Sequence, residues 1–196
     1  HRVYLTSCLI AGPNASFPYE RRRAANAEDL FESVPYGNPE VFQLRHIRSG
    51  LRCKFRIGEA NGIVVFPNAA RGDDVACETK RWASLTIRAT RHQPTANVDE
   101  EAIELTATVR DHFPDARPYT ASSEFWEHHL SGRRLLHFAA TMDGRYYYIH
   151  ASALQIGPWR ISVFSGYDDN EPIQIGDLIA AVAIAGALHD AEHVSR

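Results

Sequence analysis

Two stretches of this chain alternate apolar with polar residues between very short turn signals, and that pattern leaves few folds open. Arg134 to Met142, Arg145 to Leu154 and Trp159 to Phe164 read as strands joined by Asp143-Gly144 and Gly157-Pro158. Asp-Gly between alternating segments marks a hairpin, because a type I′ turn needs positive φ at both central positions. An earlier block repeats the theme: Leu51, Cys53 and Phe55 alternate with Arg52, Lys54 and Arg56 after an Arg48-Ser49-Gly50 turn. With Val41 to His46 before it and Gly62 to Phe66 after it, this block predicts a three-stranded meander. Beyond a polar loop at Arg71-Gly72-Asp73-Asp74, Trp82 to Arg91 predicts a fourth strand.

The period then changes to that of a helix. Ala102, Leu105, Val109 and Phe113 fall at three- and four-residue spacing behind Asn97 or Asp99 as cap, and Pro114 ends the run near His112. A second helix is predicted from about Ile175 to Val194, while Tyr119 to Gly132 carries no clear period. Hairpin links imply antiparallel pairing, and amphipathic helices must cover a sheet face. The expected fold class is therefore α+β: a single antiparallel sheet of about six or seven strands with helices packed on it. Residues 1–39, with Pro13, Pro18, Pro35, Pro39 and the run Arg21-Arg22-Arg23, read as an N-terminal arm in which only Ala24 to Phe31 suits a short helix. Residues 40–196 read as one domain.

At 196 residues, with 44% hydrophobic and 23% charged, a chain buries roughly 70% of its unfolded surface and needs no metal or dense disulfide framework. Its 21 basic and 24 acidic residues are interspersed, for a net charge of −3, which argues against nucleic acid as a partner. The apolar run Leu178 to Leu188 is shorter than the roughly 18 residues a bilayer span requires. Leu5-Thr6-Ser7-Cys8 has the form of a bacterial lipoprotein cleavage box without its upstream apolar stretch, making Cys8 a lipidation candidate. Asn14-Ala15-Ser16 fits a glycosylation acceptor by chance.

The order of strands, helix, strands and helix resembles the PsbP, Mog1 and DcrB group, whose α/β sandwich has this layout over about residues 40–194 here. At closer range, Arg45-His46-x-x-Ser49-Gly50-Leu51-x-Cys53 followed by Gly72-Asp73-Asp74-Val75-x-Cys77 resembles uncharacterised exported alphaproteobacterial proteins. The resemblance implies export and an accessory, periplasmic or lipid-anchored role. It carries over no functional residue.

Cys53, on the core face of a strand, and Cys77 are placed to pair, joining the first meander to the Gly72-Asp73-Asp74-Val75 loop. His189-Asp190-Ala191-Glu192-His193 matches the inverted zincin string, in which His189 and His193 would hold zinc and Glu192 act as general base. No downstream Glu ligand follows, and histidines near a helix C-terminus are favoured by the macrodipole alone. Glu124-Phe125-Trp126-Glu127-His128-His129 suits a ligand loop or an amphipathic turn, and Tyr146 and Tyr148 share one face of a strand. Trp126, His128, His129, Tyr146 and Tyr148 thus form a candidate binding surface. Asp168-Asp169-Asn170-Glu171 lacks calcium-loop spacing, and Arg71-Gly72-Asp73 resembles an integrin ligand only by letters. No phosphate loop, dinucleotide fingerprint, nucleophile elbow or C-x-x-C motif is present, so no cofactor is expected.

These features point to a non-enzymatic extracytoplasmic accessory or binding domain that docks onto a partner protein, a membrane complex included. A metal-dependent hydrolase built on the H-x-x-E-H string is the alternative, and an immunity or inhibitor protein the third.

Overall fold

Strand pairing divides the chain between two antiparallel sheets. The computed structural model describes residues 22–23, 25–67, 70–80, 83–94, 97–121 and 133–194. A small sheet is ordered β1-β2-β3, with β1 at Phe31–Val34, β2 at Val41–His46 and β3 at Arg52–Arg56. A large sheet is ordered β4-β5-β6-β10-β9-β8-β7. Its strands are β4 (Ala60–Val65), β5 (Asp74–Lys80), β6 (Ser84–Arg91), β7 (Arg117–Pro118), β8 (Leu136–Met142), β9 (Arg145–Ile156) and β10 (Trp159–Asp168). Two long helices among the described residues, α1 (Val98–His112) and α2 (Ile173–Val194), complete the α+β fold expected.

The turn chemistry is as the sequence predicts. Asp143 and Gly144 take φ of 52° and 76°, and Gly157 takes 54°, the positive values these tight links require. Asn97 caps α1, its side-chain oxygen accepting from the backbone N–H groups of Asp99 at 3.0 Å and Glu100 at 2.9 Å. Asp99, Glu100 and Glu101 occupy the first turn and Arg110 and His112 the last, each sign matched to its end of the helix dipole.

The first meander is composed differently from its prediction. β2 and β3 pair, but β4 leaves them for β5, and the third strand of the small sheet is β1, from the segment read as an arm. The cause lies between β3 and β4. Gly58 takes φ +84°, and buried Asn61 donates its amide to the carbonyls of Arg56 and Glu59, both at 2.9 Å. A side chain that satisfies the departing backbone fixes a corner where a hairpin was expected. Cys77 likewise lies on β5 rather than in the Gly72-Asp73-Asp74-Val75 loop, because Asp74 already begins that strand.

Each face of the large sheet carries its own core. On one, α1 sets Leu105 and Val109 against Phe138, Ala140, Ile149, Ala151 and Ala153, while buried Arg160 reaches across to pair with Glu104. On the other, the small sheet and α2 lie side by side. Leu44, Phe55, Val75, Trp159, Ile161, Ile184 and Leu188 fill the space beneath them. The disulfide between Cys53 and Cys77, Cα atoms 5.8 Å apart, ties β3 of the small sheet to β5 of the large one. Over Ile173–His193, α2 is long and apolar enough to cross a membrane by length and composition, and 39% of that stretch is buried within the fold.

Candidate functional site

Two features stand out on the face that α2 shares with the small sheet. The first is a buried polar network under the start of α2. The two-residue turn at Asp143-Gly144 sets His137 of β8 opposite His150 of β9, and the next hairpin sets Tyr148 opposite Tyr167. Alternation then puts His150, Tyr148 and Tyr167 on one face. The rings stack, His150 on Tyr167 with centroids 5.9 Å apart and Tyr148 on Tyr167 at 5.2 Å. Tyr119 meets Tyr148 and His137 edge-on or tilted, at 5.5 and 5.7 Å.

Into this cluster α2 lowers Asp177, only 2% exposed. Its Oδ1 accepts from Tyr167 Oη at 2.6 Å and Tyr119 Oη at 2.7 Å, and His150 Nε2 lies 3.2 Å away. Burial alone would raise the Asp177 pKa. Hydrogen bonds from His150, Tyr167 and Tyr119 together outweigh burial and hold it below the ordinary carboxylate value. The same contact, added to burial, drives both tyrosine hydroxyls upward, so they remain donors. Gly176 makes the approach possible, since a Cβ there would lie 2.3 Å from Tyr167 Cε2.

His137 and His150 touch through their Nδ1 atoms at 2.8 Å. One must donate and the other accept. Burial first, then the neighbouring His150, push His137 down to about 4. Asp177, His150 and His137 thus form a continuous chain of polar contacts. The hydroxyls nearby are otherwise placed: Ser152 donates to the Arg134 carbonyl at 2.9 Å, and Ser165, opposite His150, is buried with its Oγ unbonded. As it stands, the network pins the N-terminal half of α2 to the sheet.

The second feature is a trough between α2 and the outer edge of β3, the last strand of the small sheet among the described residues. A cavity of about 230 Å³ opens there, lined by Leu51, Phe55 and Cys53 on one side, Cys77, Leu85 and Ile87 below, and Ala183, Gly186 and Ala187 of α2 opposite. It runs on into a wider groove of about 760 Å³ bordered by Tyr36, Val41, Arg56, Leu178 and Val182. Lys54 and Asp190 form an ion pair that bridges the two walls. Along the rim α2 leaves Leu178 and Val182 exposed at 44% and 57%, and Ile175, three residues before Leu178 on the same helix face, is 50% exposed.

The residues singled out in the sequence are scattered relative to these features. His189 and His193 do share a face near the end of α2, ring centroids 4.0 Å apart. However, Glu192 is paired with Arg133 and His193 Nδ1 lies 3.1 Å from the His189 carbonyl. Among the described residues no group of three or more His, Cys, Asp or Glu is arranged to hold a metal. Tyr148 belongs to the buried network rather than to an open surface, whereas Tyr146 is 60% exposed. Cys8, Trp126, His128 and His129 lie outside the described residues. Asp177, Tyr119, His137 and Tyr167 were not singled out. One signal was available for Asp177, the sole ionisable residue in the apolar run from Ile173 to Leu188.

Fold and site thus define an α+β domain with a buried polar network and an apolar trough beside the edge strand β3. No known family, curated protein or solved structure matches the chain.

Proposed function

We propose that this chain is a non-enzymatic, extracytoplasmic binding domain that docks onto a partner protein, a membrane complex being one such partner. The observation that carries the reading is the trough between β3 and α2 with exposed Leu178 and Val182 on its rim and exposed Ile175 on the same helix face. Apolar side chains gathered beside a concave groove mark interaction sites, whereas single exposed ones do not. The cross-sheet disulfide supports an oxidising compartment such as a periplasm. The likeness of layout to the PsbP, Mog1 and DcrB group supports an accessory role, with Cys8 as the proposed point of lipid attachment.

The test is a photo-crosslinking amino acid placed at Val182, or at the still more exposed control Ile103 on α1, in native cells. A discrete crosslinked protein from position 182, absent from 103 and lost on Leu178→Asp, is expected. Free monomer alone at both positions would overturn the reading. A toxin as the captured protein would make the partner that of an immunity protein.

A further inference from the structure

We propose that the trough takes an extended peptide by strand addition to β3, and that the peptide alternates apolar and acidic side chains. This rests on the docking reading above and specifies its mode. The first argument is the hydrogen-bond phase of the small sheet. His46 N–H donates to the Leu51 carbonyl at 2.8 Å and Ile57 N–H to the Glu40 carbonyl at 2.9 Å. In an antiparallel ladder bonded and non-bonded pairs alternate, and the register sets Leu44 opposite Cys53 and Gln43 opposite Lys54. The inward-bonding positions of β3 are therefore 53 and 55. Arg52, Lys54 and Arg56 aim their backbone N–H groups away from β2, toward the trough. β3 has no second strand partner among the described residues.

The second argument is what a strand laid there would meet on its two faces. On the inner face, Cys53 and Phe55 are buried and the 230 Å³ cavity opens beside them. Alternate peptide side chains pointing inward must be apolar. On the outer face stand the side chains of Arg52, Lys54 and Arg56. Only Lys54 has a described acidic partner, Asp190, and Arg52 Nε is buried without a hydrogen bond. Cross-strand neighbours on this face interact directly, so the complementary side chains are Asp or Glu. The same rule disfavours a second copy of this chain, because β3 against β3 sets Arg and Lys opposite Arg and Lys.

The length follows from the helix wall. Leu178 to Asp190 spans about 18 Å at 1.5 Å per residue, room for about five or six extended residues. Gly186 fits the same picture. Mid-helix glycine is disfavoured, and among the described residues nothing beyond its own helix turn lies within 4 Å of where its Cβ would be. Its bare backbone opens the cavity toward the incoming strand.

The probes are two blocked, fluorescein-labelled hexapeptides, one alternating Leu with Glu and the other Leu with Lys. They are titrated into the intact oxidised protein and followed by anisotropy and by amide hydrogen exchange. The Leu/Glu peptide is expected to bind at least about tenfold more tightly. It should slow exchange at the amides of Arg52 and Lys54, and the preference should reverse in the Arg52→Glu, Arg56→Glu double variant, whose changes lie on the outer face of the small sheet. Binding without protection of those two amides overturns strand addition while leaving the docking reading intact. No binding of either peptide at millimolar concentration also overturns it. The docking reading fails separately, if the crosslink from Val182 is absent.

Discussion

At the scale of single residues, two buried groups carry the most consequence. Asp177 concentrates three hydrogen-bond donors, from Tyr119, Tyr167 and His150, on one oxygen that water does not reach. Asp177→Ala leaves all three without that acceptor, and should cost about 3 kcal/mol or more; urea unfolding at neutral pH measures it. His46 is the second. It is wholly buried between Phe31 and Trp159, with Nδ1 2.7 Å from Ser49 Oγ, and burial, aided by Arg48 against the opposing Asp73, holds it near 4. Between that value and the ordinary 6.5 the unfolded chain takes up a proton that the folded chain refuses. Stability from this group is therefore complete above about pH 6.5 and declines as the pH falls toward 4, by roughly 3 kcal/mol in all. His137, pushed down to about 4, adds loss in the same window. Below it, protonation of Asp177, whose folded value is depressed, continues the decline. Urea midpoints at pH 7.5 and 4.5 should differ accordingly, and equal midpoints would contradict the burial of His46 and the partial burial of His137.

At the scale of the element, α2 does two jobs along one axis, and its glycines separate them. Gly176 lies on the inner face against Tyr167, where an added Cβ at 2.3 Å has no room. Tyr167 cannot swing away without giving up Asp177 and the Ile173 carbonyl. Gly176→Ala should then destabilise by about 2 kcal/mol, the cost of overpacking. Gly186 lies on the outer face, and among the described residues nothing beyond its own helix turn lies within 4 Å of a new Cβ, so Gly186→Ala should stabilise by up to about 1 kcal/mol through helix propensity. Thermal unfolding of the two variants reads both signs. If strand addition is right, the stabilised Gly186→Ala protein should also bind the Leu/Glu peptide less tightly, because its methyl group narrows the cavity.

For the whole molecule, the Cys53–Cys77 bond joins the two sheets across a separation of 24 residues, and closing such a loop stabilises by roughly 3 kcal/mol in the chain-entropy account. Titration of the unreduced protein should find no more than one free thiol among its three cysteines, and reduction should lower the unfolding midpoint. Much of this assembly was legible from local patterns. The Asp143-Gly144 turn alone sets His137 opposite His150, since a two-residue link fixes every pairing in its hairpin. Spacing and capping likewise specified α1, an apolar run specified α2, and alternation specified most strands. What the sequence by itself determined is whatever depends on neighbours a few residues apart: turns, caps, strand phase and which side chains share a face. Only the tertiary structure decided that β4 would leave the first meander, that Asp177 and Tyr119 would converge on a histidine pair from distant segments, and that α2 would stand off from the edge of β3. Those outcomes depend on side chains meeting across long stretches of chain, where burial and hydrogen bonding between whole elements outweigh local preference.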